Sequence, residues 1–141
     1  MDIYIASSWK NQHAVEMLTS MLRDGGHKVH SFVEKAVQDE GRAGLEFDVV
    51  KWIESEDGAR KFDYDTKGAT DSDLVVYIGP SGTDAWAEIG AAWASGNMIF
   101  GLWAKGEQAG LMRRMMAGWF DNYADLLSAV ADLAVQKKVA A

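Results

Sequence analysis

Glu88 stands out among the carboxylates of this 141-residue chain because of what precedes it. An apolar run, Leu74-Val-Val-Tyr-Ile78, ends in the loop Gly79-Pro-Ser-Gly-Thr83, and the Ala-rich stretch Asp84-Ala-Trp-Ala-Glu88-Ile-Gly-Ala-Ala-Trp93 follows at once. Read as strand, loop and helix, this puts a carboxylate about one turn into a helix. It also puts it at the carboxyl edge of a parallel sheet, where open α/β folds bind their ligands. Glu88 shares a helix face with Asp84, four residues earlier. Gly90, Ala91 and Ala92 are small enough to let that helix approach the sheet closely. A glutamate buried among Trp86, Ile89 and Trp93 needs a partner or a proton. A glutamate on the surface near a helix N-terminus needs neither, because the helix dipole favours it. The pattern alone leaves both placements open.

The elements that must position Glu88 read as follows along the chain. Residues 2–6 alternate and are rich in Ile and Tyr, a first strand, with Ser7-Ser8 as a turn and possible cap. Residues 11–24 place Ala14, Val15, Leu18, Met21 and Leu22 at helical spacing, and Gly25-Gly26 stops the helix. Residues 28–32 form a second strand, and β-α-β in about 30 residues predicts a right-handed parallel unit. Residues 33–46 read as a polar loop with Gly41 and Gly44, residues 47–56 as a helix carrying Phe47, Val50 and Ile53, and residues 58–72 as a second polar helix. The run at 74–78 is continuous, as in a strand buried on both faces. A helix over 84–95 ends at Gly96, and a fourth strand over 98–103 leads into a loop at 104–110. Residues 111–117 are helical, 119–120 form a short fifth strand, and 123–136 form a closing amphipathic helix. The expected fold is α/β: one doubly wound domain over 1–141, its mostly parallel sheet of four to five strands covered by helices on both faces.

At 48% hydrophobic and 25% charged residues, the composition is that of a soluble globular domain. Cysteine is absent, which excludes disulfides and thiol catalysis. No stretch approaches the roughly 20 apolar residues of a membrane helix, and no basic leader precedes the first strand, so the expected location is cytoplasmic. The net charge of −7 disfavours polymeric nucleic acid as a partner. Arg113-Arg114 and Lys137-Lys138 are short basic pairs that read as solvated helix faces. A small nucleotide stays open, because amides at a helix N-terminus hold a phosphate without a basic surface. His13, His27 and His30 lack metal-ligand spacing, so no metal is expected. No Ser-His-Asp set, P-loop or G-x-G-x-x-G fingerprint is present.

Three ordered blocks carry a family resemblance. They are Asp2-Ile-Tyr4-Ile-Ala-Ser-Ser-Trp9; Asp65 followed by Gly68-Ala-Thr-Asp-Ser-Asp73-Leu-Val-Val; and Gly82-Thr83 through Glu88-Ile-Gly90-Ala to Ser95-Gly96. In this order, with Leu111-Met112 and Asp125-Leu-Leu behind them, they resemble the nucleoside 2-deoxyribosyltransferase-like family, which includes deoxynucleoside-monophosphate N-glycosidases. The resemblance implies that Glu88 is a nucleophile for a sugar's anomeric carbon. It implies that Asp65 is the proton donor or base-binding acid, and that Tyr4 holds the Glu88 carboxylate by its hydroxyl. An oxocarbenium-like transition state suits an adjacent anion that can also bond to it. Without the resemblance, Asp65 reads equally as an exposed aspartate and Tyr4 as a core tyrosine. The family further implies an enzyme without a cofactor, a small nucleoside or nucleotide as partner, no membrane, and a homodimer or higher homo-oligomer.

The chain also departs from the family pattern. An acidic residue expected six positions ahead of the nucleophile is Gly82 here, with Asp84 nearby on another turn. Ser7-Ser8-Trp9-Lys10 replaces a Gly/Arg-rich phosphate loop. Ser7, Ser8, Ser81, Gly82 and Thr83 could present hydroxyls and amides to a phosphate, or serve as caps. Trp9 and Trp86 could stack on a nucleobase, or pack. The expected function is cleavage or transfer of an N-glycosidic bond. The alternatives are a nucleotide-binding or sensing domain of the same fold without catalysis, motivated by Gly82, and a glycohydrolase of nicotinamide dinucleotides.

Overall fold

In the computed structural model, which describes residues 1–34 and 48–141, the apolar runs become one parallel sheet. Its strands are β1 (Asp2–Ala6), β2 (Lys28–Ser31), β3 (Leu74–Ile78), β4 (Met98–Leu102) and β5 (Gly118–Phe120). They lie in the order β2-β1-β3-β4-β5, and every neighbouring pair is parallel. This is the doubly wound order that reverses between β1 and β3, the switch point at which a crevice opens beyond the strand ends. All five residues of β3 are buried, as its unbroken apolar run requires.

The helices in chain order are α1 (Gln12–Asp24), α2 (Val49–Ile53), α3 (Glu56–Asp71), α4 (Thr83–Ala94) and α5 (Tyr123–Ala140). Strand alternation sorts the core into two layers. Ile3, Ile5, Leu74 and Val76 face one way and pack with Val15, Leu18 and Leu22 of α1 and Leu126 and Val130 of α5. Tyr4, Val75 and Tyr77 face the other way and meet Ala69 of α3 with Ala85, Ile89 and Ala92 of α4. The small residues bring α3 and α4 close to the sheet, within reach of a tyrosine hydroxyl. None of the described helices is long and apolar enough to cross a membrane.

Several boundaries differ from expectation. The helix expected over 47–56 is only α2; its Val49, Val50 and Ile53 are more than half exposed, and Phe47 lies outside the described residues. Ser55 accepts a hydrogen bond from the Gly58 amide at 3.1 Å, so this N-cap ends one helix and starts α3 two residues earlier than expected. In the loop expected over 33–46, Val33 is buried in the core, and 35–47 lie outside the described residues. The segment Leu111–Met115 forms 3₁₀ turns that end where Met116 becomes extended toward β5. The closing helix continues past 136 to Ala140, and Lys137 in its last turn bonds Asp73 Oδ1 at 2.7 Å.

Candidate active site

Tyr4 lies in the middle of β1, fully buried, with its ring toward α3 and α4. Its hydroxyl oxygen is 3.0 Å from Glu88 Oε2 and 3.2 Å from Asp65 Oδ1. A phenol has one proton to donate, so it serves one carboxylate at a time. α4 delivers Glu88 from the side of the helix next to its Ala85–Ile89–Ala92 stripe, and α3 delivers Asp65. Gly68 makes the meeting possible: a Cβ there would stand 2.4 Å from Tyr4 Cδ2, so the ring lies against bare backbone. Lys61, one turn before Asp65, forms a salt bridge with it, the two side chains only 13% and 20% exposed. The Lys61 ammonium also sits 5.7 Å from the Phe32 ring and 5.6 Å from the Tyr64 ring, a cation–π setting.

Burial and crowding of like charge set the proton affinities here. Glu88 is pushed up to about 8, first by burial and then by the Asp65 charge, against the pull of the Tyr4 hydrogen bond and the Lys61 ammonium. Asp65 is also raised by burial, while Lys61 pulls it back. Asp84, in the first turn of α4, pushes both carboxyls up further. The Tyr4 hydroxyl is held well above an ordinary phenol by burial and then by its two acidic neighbours, so it stays protonated. With the Tyr4 hydroxyl keeping its own proton, the two carboxylates can hold one further proton between them and still present an anion in a largely buried site. Among the described residues no group of three or more acidic or histidine side chains could hold a metal ion.

The remaining predicted residues divide by position. The Ser7 hydroxyl donates to the Ile78 carbonyl at 2.7 Å, and Ser8 accepts from the Lys10 amide at 3.3 Å as the cap of a 3₁₀ turn. The Ser81 hydroxyl donates to Tyr77 Oη at 3.2 Å, and that of Thr83 faces Asp84. Gly82 is the N-cap of α4; it provides no side-chain cap, and a Cβ there would meet nothing within 4 Å. Trp9 is half exposed and stands edge-on to Phe32, with centroids 5.2 Å apart. Trp86 leans on Tyr77 at 4.8 Å, on the β4 side of α4 and away from Glu88. Together with Tyr77, Ser81, Glu107 and Leu111 it lines a cavity of about 690 Å³ that does not include Glu88.

The structure therefore brings Tyr4, Asp65 and Glu88 together, sets Asp84 close enough to influence them, and engages the hydroxyls of Ser7, Ser8 and Ser81 within the protein. Sequence reasoning missed Lys61, although opposite charges four residues apart on a helix were a visible signal. It also missed Asn11, whose amide donates to the Pro80 carbonyl at 2.7 Å and to Ser7 Oγ at 3.0 Å, tying the loop after β1 to the loop after β3.

No protein-family model matches this sequence, and no curated protein does. Solved structures match. The 2-deoxyribosyltransferase of the psychrotolerant bacterium Bacillus psychrosaccharolyticus superposes with a TM-score of 0.69 at 22% identity, over 89% of this chain and 90% of its own. The chain has the nucleoside 2-deoxyribosyltransferase-like fold. A CMP N-glycosidase of Clostridium botulinum shares it (TM-score 0.59, 15% identity, 92% of this chain and 98% of its own). So does a conserved protein of Enterococcus faecalis V583 (TM-score 0.64, 16% identity, 91% and 95%). At such identities the shared property is the fold. Within this 2-deoxyribosyltransferase-like fold, Tyr4, Asp65 and Glu88 gather between α3 and α4, over the strand that borders the switch point.

Proposed function

We propose that this protein cleaves or transfers the N-glycosidic bond of a nucleoside or nucleotide, with Glu88 as nucleophile. The observation that carries the proposal is the single buried Tyr4 hydroxyl within hydrogen-bonding distance of both Glu88 and Asp65. The fold shared with a deoxyribosyltransferase and a CMP N-glycosidase supports it. In the forward step a Glu88 oxygen bonds to the anomeric carbon while the carbon–nitrogen bond breaks. The bonding pair leaves with the base, which takes a proton from Asp65. Water, or a second base, then attacks the glycosyl ester and releases Glu88, with Asp65 accepting the proton. Tyr4 keeps the Glu88 carboxylate aimed through both steps. Exposed Trp93, Leu111 and Met112 support the expectation that copies of the chain associate.

Release of free base from a panel of nucleosides, their monophosphates and nicotinamide dinucleotides, wild type against Glu88→Ala, tests the proposal. Base release by the wild type alone is expected, together with a glycosyl adduct on Glu88 trapped by a 2-fluoro sugar. Equal rates from both proteins reject it. Gly82 favours a second reading, because an acidic residue expected there is missing: a domain that binds nucleotides without turning them over. Tight binding with no product after long incubation would select it.

A further inference from the structure

The chemistry proposed above needs Glu88 ionised to attack and Asp65 protonated to serve the base. The Lys61 ammonium is bonded to Asp65, which favours the opposite arrangement. Within that proposal, we infer that Lys61 is a positioning residue that decides which carboxylate holds the shared proton, keeping Asp65 ionised and Glu88 protonated until a ligand draws the ammonium away.

The geometry gives the proton a short route. Tyr4 Oη lies 3.0 Å from Glu88 Oε2 and 3.2 Å from Asp65 Oδ1, and the ring is fully buried. When the ammonium leaves Asp65, the Glu88 O–H bond breaks and its proton joins Tyr4 Oη. The Tyr4 O–H bond breaks and its proton joins Asp65 Oδ1. One proton has moved, Tyr4 is unchanged, and no electron has been transferred. The result is the ionised nucleophile and the protonated acid that glycosyl transfer needs. A bound base beside Asp65, with an acceptor oxygen toward Lys61, is the ligand chemistry that would draw the ammonium.

Among the described residues, the groups facing this cluster are Tyr4 from β1, Tyr64 and Asp65 from α3, and Asp84 and Glu88 from α4. The Phe32 ring beyond the end of β2 is uncharged, and Glu34, which acts on Tyr64, is already paired with Arg23. Lys61 is thus the cation bonded within the group. Burial agrees with this role: Glu88 is raised to about 8, and Lys61 opposes the rise at Asp65 more than anything else does.

Carboxyl ¹³C NMR titration of the ligand-free protein, in wild type, Lys61→Met and Lys61→Arg, tests the assignment without requiring turnover. In wild type and Lys61→Arg, Asp65 should titrate in a separate step below that of Glu88, whose carboxyl is pushed up to about 8. In Lys61→Met, Asp65 should take a share of the proton, and its titration should move up toward that of Glu88. An Asp65 titration unchanged in Lys61→Met overturns the inference. Should that variant not fold, Lys61→Gln carries the same expectation. Where turnover is measurable, the alkaline limb of kcat/KM should move up by about one pH unit in Lys61→Met and stay in place in Lys61→Arg. A wild type that turns over no substrate defeats the proposed function, while the titration still decides what Lys61 does.

Discussion

Tyr4 and Tyr77 stand on adjacent strands, face the same helix layer, and each hydrogen-bonds a glutamate. Around Tyr77 every acceptor finds its own donor. Its hydroxyl gives 2.8 Å to Glu107 Oε1, and the Ala104 amide gives 3.1 Å to the other oxygen. The carboxylate nests against Gly79, where a Cβ would be 2.0 Å from it. Burial and the Glu107 bond push the Tyr77 hydroxyl up to about 12, and Ser81 works against them. The pair braces the loop after β4. Around Tyr4 two carboxyl groups share one hydroxyl, with Asp84 as a third acid nearby. Donors fall short of acceptors there, and a proton has to make up the difference. The same two residue types thus give a closed brace in one place and a cluster short of a proton donor, the proposed reactive centre, in the other. What differs is how many acids compete for the phenol.

Removing each glutamate gives the largest contrast. Glu88→Gln should cut base release by about 10³-fold or more. Glu107→Gln should leave it within a few-fold, because its carboxylate is bonded inside its own loop. A large loss in the second variant breaks the comparison. The two glycines come next. Gly68→Ala forces a methyl group into the Tyr4 ring, which strand and helices hold in place, and should cost about 2–3 kcal/mol in urea denaturation. Gly79→Ala meets only the end of the Glu107 side chain, which can swing out, and should cost about 1 kcal/mol. Equal costs would mean that the Tyr4 ring is free to move.

A pH series sharpens the account of Glu88. Its carboxyl rises from 4.5 to about 8 on folding, so its contribution to stability is complete below the unfolded value and is lost as pH climbs through the folded one. Glu88→Gln should therefore match the wild type in Tm near pH 4 and exceed it by roughly 15 °C at pH 8.5. A difference that does not grow with pH would mean that Glu88 is not held protonated. A small effect is likewise expected from Tyr77→Phe: a loss of about 1 kcal/mol, with faster amide exchange at Ala104. Tyr4→Phe, by contrast, should shift the Glu88 titration upward, since the lost hydrogen bond favours the ionised form.

Much of the fold was legible because hydrophobic period and turn residues agree. The unbroken run of β3, the loop at Gly79 and the small-residue face of α4 each reported their own environment. Glu88, Asp65 and Tyr4 were legible only as a set, through the ordered blocks. Singly, Tyr4 reads as a core residue, and it is one; its ring is core and its hydroxyl belongs to the site. Lys61 went unread, because its setting depends on Phe32, which follows β2 and lies far from it in the chain. Gly68 carries no sign of which ring it accommodates. The end of α2 was missed because Ser55 could not be recognised as a cap without knowing that Gly58 donates to it.

Asn11 has a consequence for affinity. Its side-chain amide bonds the Pro80 carbonyl and the Ser7 hydroxyl, and Ser7 in turn bonds the Ile78 carbonyl. The rims on either side of the switch point are therefore stitched together by one residue at the entrance of α1. A molecule settling between them does not have to immobilise two independent segments, since that ordering entropy was already given up when the chain folded.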